Sequence, residues 1–523
     1  MNNNRKINKQ DKIWNETKLK DCMKKQYIIT FVAAVFWGLA AHGYIFLNKF
    51  CWHDDMKELF GVGATYSSGR WFLGILGETV QRLFGNVSVP WFHGLVSLLF
   101  LAAGSVLLAE LFQLKQNVSR ILLAGMMVVF PSWTVTYAYM FTAAYYASAV
   151  FLAILGIYLV WKASKAWCGM LSGAVCFCLS LGIYQAYLPL AATILLIAFL
   201  NDVIVKEECS FREHFMKGIL GVCTLAFGVI LYFIVNQFFL YTMHVELTDY
   251  QNIKNMGQTN IKMIAEGIVS AWKDFLVPSQ GSADMYMQSA RGVYYAVLGL
   301  SICFLIYHMI QCWKKNRTAV FFLLAGALCF PVGVNLLYLM GDMGDIYGIM
   351  LYAKAMVFIL PIVLVERIKL DTWRIRKYGT LLLSILLIYA GVFYTHYANA
   401  CYLQAEFHQE QVISWLNTLV ARIQSEDGYN RGLPIVYLNS EGPGYVPPES
   451  TLALMEIPNV DMLPYQNVTF SNWKTALFRW CGFRHEELTE TSEIESWQEV
   501  LDMPSYPDSG SVRIIKGIII VKF

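Results

Sequence analysis

A short run of reactive side chains, residues 51–55 with the sequence CWHDD, follows the first long apolar segment, and residues 68–71 with the sequence SGRW lie further along the same loop. A carboxylate such as Asp54 or Asp55 can accept a proton from a hydroxyl group that acts as a nucleophile. The Arg70 guanidinium can donate two hydrogen bonds to one phosphate. Where an apolar helix leaves a bilayer, this combination suits a reaction on a lipid-linked substrate.

Asp54 and Asp55 cannot both face the same hydroxyl, because successive residues of a helix point about 100° apart. One of them would be the base, and the other can orient a neighbour or hold a divalent cation such as Mg²⁺ or Mn²⁺. The sequence does not decide which carboxylate has which role, and it identifies no certain cofactor. His53 can assist either role or be structural. The competing interpretations are a solvated acidic loop for the two carboxylates, and for Arg70 a side chain that reaches toward lipid headgroups.

The composition shows that the surrounding elements belong in a membrane. Of the 523 residues, 57% are hydrophobic and 15% are charged, against roughly 45–50% and about 25% in soluble domains. The net charge of +3 is small, and no basic tract alternates with stacking aromatic residues as a nucleic-acid groove requires. We therefore expect membrane lipids as partners and no nucleic acid.

The hydropathy pattern predicts a polytopic, all-α membrane protein. Residues 27–47 contain no acidic or basic side chain and are long enough for a hydrocarbon layer of roughly 30 Å. Ten similar segments follow. The eleven predicted spans are 27–47, 91–112, 119–138, 141–161, 167–186, 188–204, 218–240, 293–313, 319–340, 348–365 and 379–397.

Positive charges predict the orientation of the domain that these spans form, residues 27–397. The tail 1–26 is rich in lysine, the loops predicted on its side are basic, and the short loops on the other side contain no Lys or Arg. Because basic loops stay in the cytoplasm, the N-terminus is predicted there. An odd number of spans then places the first loop (48–90), the loop 241–291 and the tail 398–523 outside the cell membrane.

The first outer loop is predicted to carry interfacial helices. Over residues 70–84, apolar side chains fill the positions between polar or small ones, which is typical of an amphipathic helix lying in the membrane interface. A shorter helix is predicted over 54–60. The polar or small positions of the longer helix recur every four residues: Arg70, Gly74, Glu78 and Arg82.

The tail 398–523 is richer in acidic residues, Asn, Ser and Pro than the rest of the chain. This composition, with short apolar runs, predicts a small extracytoplasmic α/β domain. Its predicted strands are 433–438, 467–470 and 514–523, and its predicted helices are 401–424 and 491–502.

Other polar residues near the outer ends of the spans are weaker candidates for substrate binding. Lys354 lies inside an apolar segment, where an ionisable side chain is costly unless it is paired or hydrated. It can bind a lipid phosphate, or it can pair with Asp342 or Asp345, which also fit an ordinary polar turn. Arg291 is either a second phosphate ligand or an interfacial anchor.

Together these features resemble the membrane glucosyltransferases of the Gtr family, type II. The resemblance rests on a first helix that leads into a loop with Asp54-Asp55 and a downstream Gly-Arg-Trp at 69–71, about ten further spans and an outer tail, and it is sharpest over 50–90. Those proteins are serotype-converting enzymes of bacterial surface polysaccharides. The wider class is the polytopic C-type glycosyltransferase fold, whose members use polyprenyl- or dolichyl-linked sugar donors.

The resemblance implies transfer of a hexose, with glucose expected, from a polyprenyl-phosphate carrier to a cell-surface glycan. It also implies an inverting single displacement, with Asp54 or Asp55 as general base. The alternative is a transporter or flippase of lipid-linked saccharides, which would place polar or broken segments near the midplane, often in two related halves; the charges here lie chiefly at outer helix ends. A structural scaffold would leave Lys354 and the outer acidic cluster unexplained.

Overall fold

The computed structural model describes residues 2–48, 61–206, 210–277, 288–341, 346–369, 372–439 and 473–523. It divides into a first unit that ends at Asn399 and a second unit from Ala400 to Phe523. The helices and strands are α1 (Asn2–Leu47), α2 (Trp71–Phe84), α3 (Pro90–Leu111), α4 (Asn117–Val129), α5 (Pro131–Tyr137), α6 (Met140–Lys162), α7 (Ala166–Ile183), α8 (Leu188–Val205), α9 (Phe211–Met243), α10 (Ile261–Leu276), α11 (Gln288–Trp313), α12 (Arg317–Val334), α13 (Ala355–Glu366), α14 (Trp373–Gln424), β1 (Ile435–Leu438), α15 (Trp473–Cys481), α16 (Ser492–Glu495), α17 (Gln498–Leu501), β2 (Val512–Ile515) and β3 (Ile518–Lys522).

Long apolar helices dominate the first unit, and the protein is a polytopic membrane protein, as predicted. In the described part of the chain, nine helices are long and apolar enough to cross a bilayer: α1 from Lys24 onward, α3, α6, α7, α8, α9, α11, α12 and α14. The pair α4 and α5, bent by 41°, accounts for a tenth. The bend falls where Pro131 begins α5, because proline lacks the N–H that would continue the preceding helix.

The predicted span 348–365 is not one long helix. It consists of two short 3-10 helices, Gly348–Met350 and Tyr352–Lys354, followed by α13. Every residue of α13 is buried. Broken backbone is tolerated at membrane depth when neighbouring helices surround it, whereas hydropathy alone cannot distinguish a segment that faces protein from one that faces lipid.

At its C-terminal end, α13 is tied to the loop between α3 and α4. The Glu366 carboxylate accepts hydrogen bonds from the backbone N–H groups of Lys115 (2.9 Å) and Gln116 (3.1 Å) and from the Ser119 hydroxyl (2.7 Å). Arg376 contributes an ion pair at 3.7 Å. A buried carboxylate with this many donors is well satisfied and holds the two segments together.

Helix α2 confirms the helix predicted over 70–84, but one of its polar positions does not face water. Gly74 is buried, and a Cβ there would lie 2.7 Å from the Tyr66 ring. The Tyr66 hydroxyl donates to Glu78 at 3.1 Å. Burial and the nearby Glu78 carboxylate raise the pKa of Tyr66 to about 12, so the hydroxyl keeps the proton that it donates. Spacing alone assigned Gly74 to the polar face, because a small residue fits both patterns.

The second unit contains a small sheet with strand order β1-β3-β2, in which β1 and β3 are parallel and β2 and β3 antiparallel. The predicted strand 514–523 is a hairpin, because Lys516 and Gly517 turn the chain with φ of 49° and 78°. The predicted helix 401–424 is the end of α14, which is continuous from Trp373. The predicted strand 467–470 lies outside the described residues.

Candidate functional site

The candidate site begins at a tight turn before α2. The short 3-10 helix Tyr66–Ser68 ends at Gly69, whose φ of 69° is in the left-handed region. A Cβ at Gly69 would lie 2.6 Å from the Tyr232 hydroxyl and 2.8 Å from Gln185 Nε2. Both the backbone conformation and the space therefore require glycine, and the turn makes Arg70 the N-cap residue of α2.

Two side chains from other helices hold this turn. Gln185 Nε2 donates to the Ser68 carbonyl at 2.9 Å, and the Tyr232 hydroxyl donates to the Gly69 carbonyl at 3.0 Å. Gln185 Nε2 also lies 2.9 Å from the Tyr232 hydroxyl oxygen. These buried hydrogen bonds fix the backbone that presents Arg70.

The guanidinium of Arg70 lies among tyrosine side chains. Its Nη1 donates to the Tyr146 hydroxyl at 3.2 Å, and its Cζ is 5.0 Å from the centre of the Tyr184 ring. The Tyr146 and Tyr184 rings stack with centroids 4.6 Å apart and planes within 9° of parallel. Aromatic faces stabilise a cation without neutralising it.

Arg70 keeps unused capacity to bind an anion. Its Nε is buried and makes no hydrogen bond, and none of the carboxylates in the described part of the chain forms an ion pair with it. A cation that is partly withdrawn from water is stabilised by a counter-ion. The arrangement can therefore accept a phosphate or another anion through charge-assisted hydrogen bonds.

Lys354, in contrast, has a carboxylate partner. Its Nζ lies 2.7 Å from Oδ2 of Asp274, and each side chain is only 4% exposed. Asp274 belongs to α10, an amphipathic helix that packs on the segment after α12: Asn335 Nδ2 donates to the Ala271 carbonyl at 2.9 Å, and Gly267 lies against the Tyr338 carbonyl. The ion pair thus fastens α10 to the segment that precedes α13.

Packed rings connect the surroundings of Arg70 with the segment that carries Lys354. Tyr187 meets Tyr184 edge-on at 5.3 Å between centroids, and it meets Tyr352 at 6.4 Å in the same way. The Tyr352 hydroxyl donates to the Met127 carbonyl at 2.6 Å. Ring contacts therefore run from the surroundings of Arg70 to the short 3-10 helix that contains Lys354.

A sequence model described as glucosyl transferase GtrII matches residues 43–365, well over half of the chain. The chain belongs to the GtrII glucosyl transferase family. This finding confirms the predicted membership and makes the protein a membrane glycosyltransferase. The match covers the predicted catalytic loop, Arg70, α10 and Lys354 of the GtrII protein, and it ends before the second unit. No curated protein matches the chain.

The other predicted site residues of this GtrII protein are distributed as follows. Arg291 is exposed near the start of α11, and its assignment as a phosphate ligand or an anchor stays a prediction. Among the described residues, no group of three or more His, Cys, Asp or Glu side chains could hold a metal ion. The remaining predicted residues lie outside the described ones: His53, Asp54, Asp55, Asp342 and Asp345.

Sequence reasoning missed two of the contacts around the cations. Lys354 pairs with Asp274, whereas the sequence analysis names Asp342 and Asp345. The sequence does contain a signal for Asp274, because this acid interrupts an amphipathic run in a loop that is predicted on the outer side. Tyr146 was missed because a tyrosine in an apolar segment has many packing roles. Only the fold brings it to Arg70.

Proposed function

We propose that this GtrII protein transfers glucose from a polyprenyl-phosphate carrier to a cell-surface glycan, with Arg70 as the ligand of the carrier phosphate. The observation that carries the proposal is the half-buried Arg70 guanidinium, which lies against tyrosine side chains, has a buried Nε without a hydrogen bond and has no carboxylate partner within the described residues. Its position at the N-terminus of α2 adds the favourable end of the helix dipole for an anion.

The proposed reaction is a single displacement with inversion. A hydroxyl oxygen of the acceptor forms a bond to C1 of glucose while the bond between C1 and the phosphate oxygen breaks, and the polyprenyl phosphate leaves with the electron pair of that bond. The hydroxyl proton goes to the carboxylate of Asp54 or Asp55. Arg70 stabilises the negative charge that grows on the leaving phosphate, which is the kind of interaction that accelerates the chemical step.

The proposed topology keeps the N-terminus in the cytoplasm and the tail outside. Support comes from residues 354–366, because Glu366 is bonded to the basic loop between α3 and α4 and Lys354 is bonded to α10 of the loop 241–291. Those two loops are predicted on opposite sides of the membrane. A segment that reaches loops on both sides would be the eleventh crossing of the membrane. An odd number of crossings places the two termini on opposite sides.

The decisive experiment uses the purified protein in lipid nanodiscs with polyprenyl-phosphate glucose and a glycan acceptor. Glucosyl transfer should release polyprenyl phosphate, whereas a flippase would move the donor without cleaving it. Arg70→Met should weaken donor affinity about 10- to 100-fold, the usual effect of losing a hydrogen bond to a charged group. Arg70→Lys should weaken it less, because a point charge remains.

A matched control for these variants is Arg82→Met on the same helix. Arg82 pairs with Glu78 at 3.6 Å and its side chain is 81% exposed, so its loss should leave donor affinity unchanged. Equal affinities in the Arg70→Met and Arg82→Met proteins would contradict the phosphate assignment of Arg70.

The carboxylates require a separate measurement. If one of them is the base, Asp54→Asn or Asp55→Asn should lower turnover by roughly 10²–10⁴ and leave donor binding and thermal stability nearly intact. Rates close to wild type in both variants would remove the general-base assignment.

A further inference from the structure

A small apolar cavity lies directly behind the turn that presents Arg70. Its volume is about 110 Å³, and all of its exposed surface is apolar. The walls come from α7, α8, α9 and two outer segments. The residues that line it and that the following argument uses are Gln185, Leu188, Val229, Tyr232, Met256 and Met340.

The cavity and Arg70 share one structural support. Gln185 and Tyr232 line the cavity, and the same two side chains bond to the carbonyls of Ser68 and Gly69. Gln185 Nε2 and the Tyr232 hydroxyl are used in those bonds, and the surface that lines the cavity is apolar. The turn that presents Arg70 and the apolar cavity therefore lie on either side of the same two side chains.

We propose that this cavity, here called the prenyl cavity, binds the first isoprene unit of the carrier. The inference rests on the proposed function, because it assigns a site to the chain that the phosphate carries. A cavity of about 150 Å³ accommodates the six carbons of benzene, so 110 Å³ suits a unit of five carbons. The hydroxyls of a sugar would find no partners on these walls. Met256 and Met340 supply the flexible side chains that adapt to a branched ligand.

The test fills the cavity and compares donors of different chains. In Val229→Phe the new ring occupies the cavity, and the control Ile230→Phe places the same ring on the next residue of α9, which does not line the cavity and is 55% exposed. Each carbon transferred into an apolar site changes affinity about fourfold. We therefore expect KM for polyprenyl-phosphate glucose to rise about 10- to 100-fold in Val229→Phe, with Ile230→Phe unchanged.

Three donors separate the possible origins of such an effect. For glucose linked to methyl phosphate, which has no chain, Val229→Phe and wild type should have the same KM; an equal loss with this donor would mean that the turn itself is distorted and would overturn the proposal. Wild type should prefer a single isoprene unit to a straight alkyl chain of equal carbon number. Equal use of both would overturn the assignment to an isoprenoid and indicate a general acyl site.

A second measurement needs no variant. A donor with a photoreactive diazirine on its first isoprene unit should label Met256 or Met340 in the wild-type protein, and excess unlabelled donor should abolish the labelling. Labelling confined to other peptides would refute the prenyl cavity. If the wild-type protein transfers glucose but has the same donor KM as Val229→Phe and Ile230→Phe, the cavity assignment fails and the proposed function stands. If the wild-type protein transfers glucose from no prenyl phosphate donor, the proposed function itself fails.

Discussion

Replacing Lys354 by methionine tests whether its ammonium serves the fold or the substrate. Lys354 and Asp274 are both buried and 2.7 Å apart, so the variant would remove the ammonium that pairs with the Asp274 carboxylate in a region of low dielectric. Breaking a buried pair from one side costs roughly 3–5 kcal/mol. We expect Lys354→Met to lower the melting temperature by several degrees, and to change donor affinity only to the extent that the fold is lost.

The magnitude can be checked with a double variant and a surface control. Lys354→Met combined with Asp274→Leu removes both charges and keeps similar shapes, so it should recover most of the stability, since apolar replacements of buried pairs are often neutral or stabilising. The surface control is Lys262→Met within α10. This variant breaks an ion pair with Glu266 at 3.8 Å, in which the two side chains are 84% and 64% exposed. Its effect should be at most about 0.5 kcal/mol.

The assay is a thermal unfolding curve and a donor titration on the same preparation. The reasoning would be refuted if Lys354→Met melted at the same temperature as Lys262→Met and bound the donor much more weakly. That outcome would return Lys354 to the role of a phosphate ligand and make the contact with Asp274 incidental.

Three further predictions concern the turn at Gly69, the hydrogen bonds of Glu366 and the topology. Gly69→Ala should abolish most activity, because it adds left-handed backbone strain of about 1–2 kcal/mol and contacts under 3 Å. The control Gly517→Ala, with φ of 78° and no atom within 4 Å of the new Cβ, should add the backbone strain alone. Equal activity in the two variants would show that the turn at Gly69 tolerates a side chain. Glu366→Gln should destabilise by about 1–3 kcal/mol through a lost acceptor and leave the KM of the donor unchanged, as measured by melting and kinetics. A cysteine label at residue 162 should react only from the cytoplasm and one at residue 450 only from outside, and a cytoplasmic signal at 450 would contradict the eleven-span topology.

The apolar runs predicted most of the first unit, because a long stretch without charges has few alternatives to a helix that crosses the bilayer. The prediction was less accurate where burial inside the protein replaces contact with lipid. Segment 348–365 has the composition of a span, yet its first residues form two 3-10 helices. Its neighbours cover the irregular backbone, and neighbours are a tertiary property that hydropathy does not contain.

Partner choice was also beyond the sequence. The sequence offers a lipid phosphate, Asp342 and Asp345 as partners of Lys354, but its ion pair is with Asp274, eighty positions earlier. Spacing along the chain measures distance only within an element, whereas the ion pair joins two elements that the fold brings together. Residue type and position in the chain single out Arg70. Its contacts with Tyr146 and Tyr184 join separate elements, so spacing along the chain does not predict them.

The two cations differ in what compensates their charge. Lys354 is buried and Arg70 is half-buried, and a charge removed from water is costly unless something compensates it. Lys354 is compensated by Asp274 within the protein, so its charge is already used in holding α10. Within the described residues Arg70 contacts the Tyr146 hydroxyl and the Tyr184 ring, which stabilise it partly and leave its Nε without a hydrogen bond. An anionic substrate would therefore gain more at Arg70 than at Lys354, because no existing ion pair has to be broken before it binds.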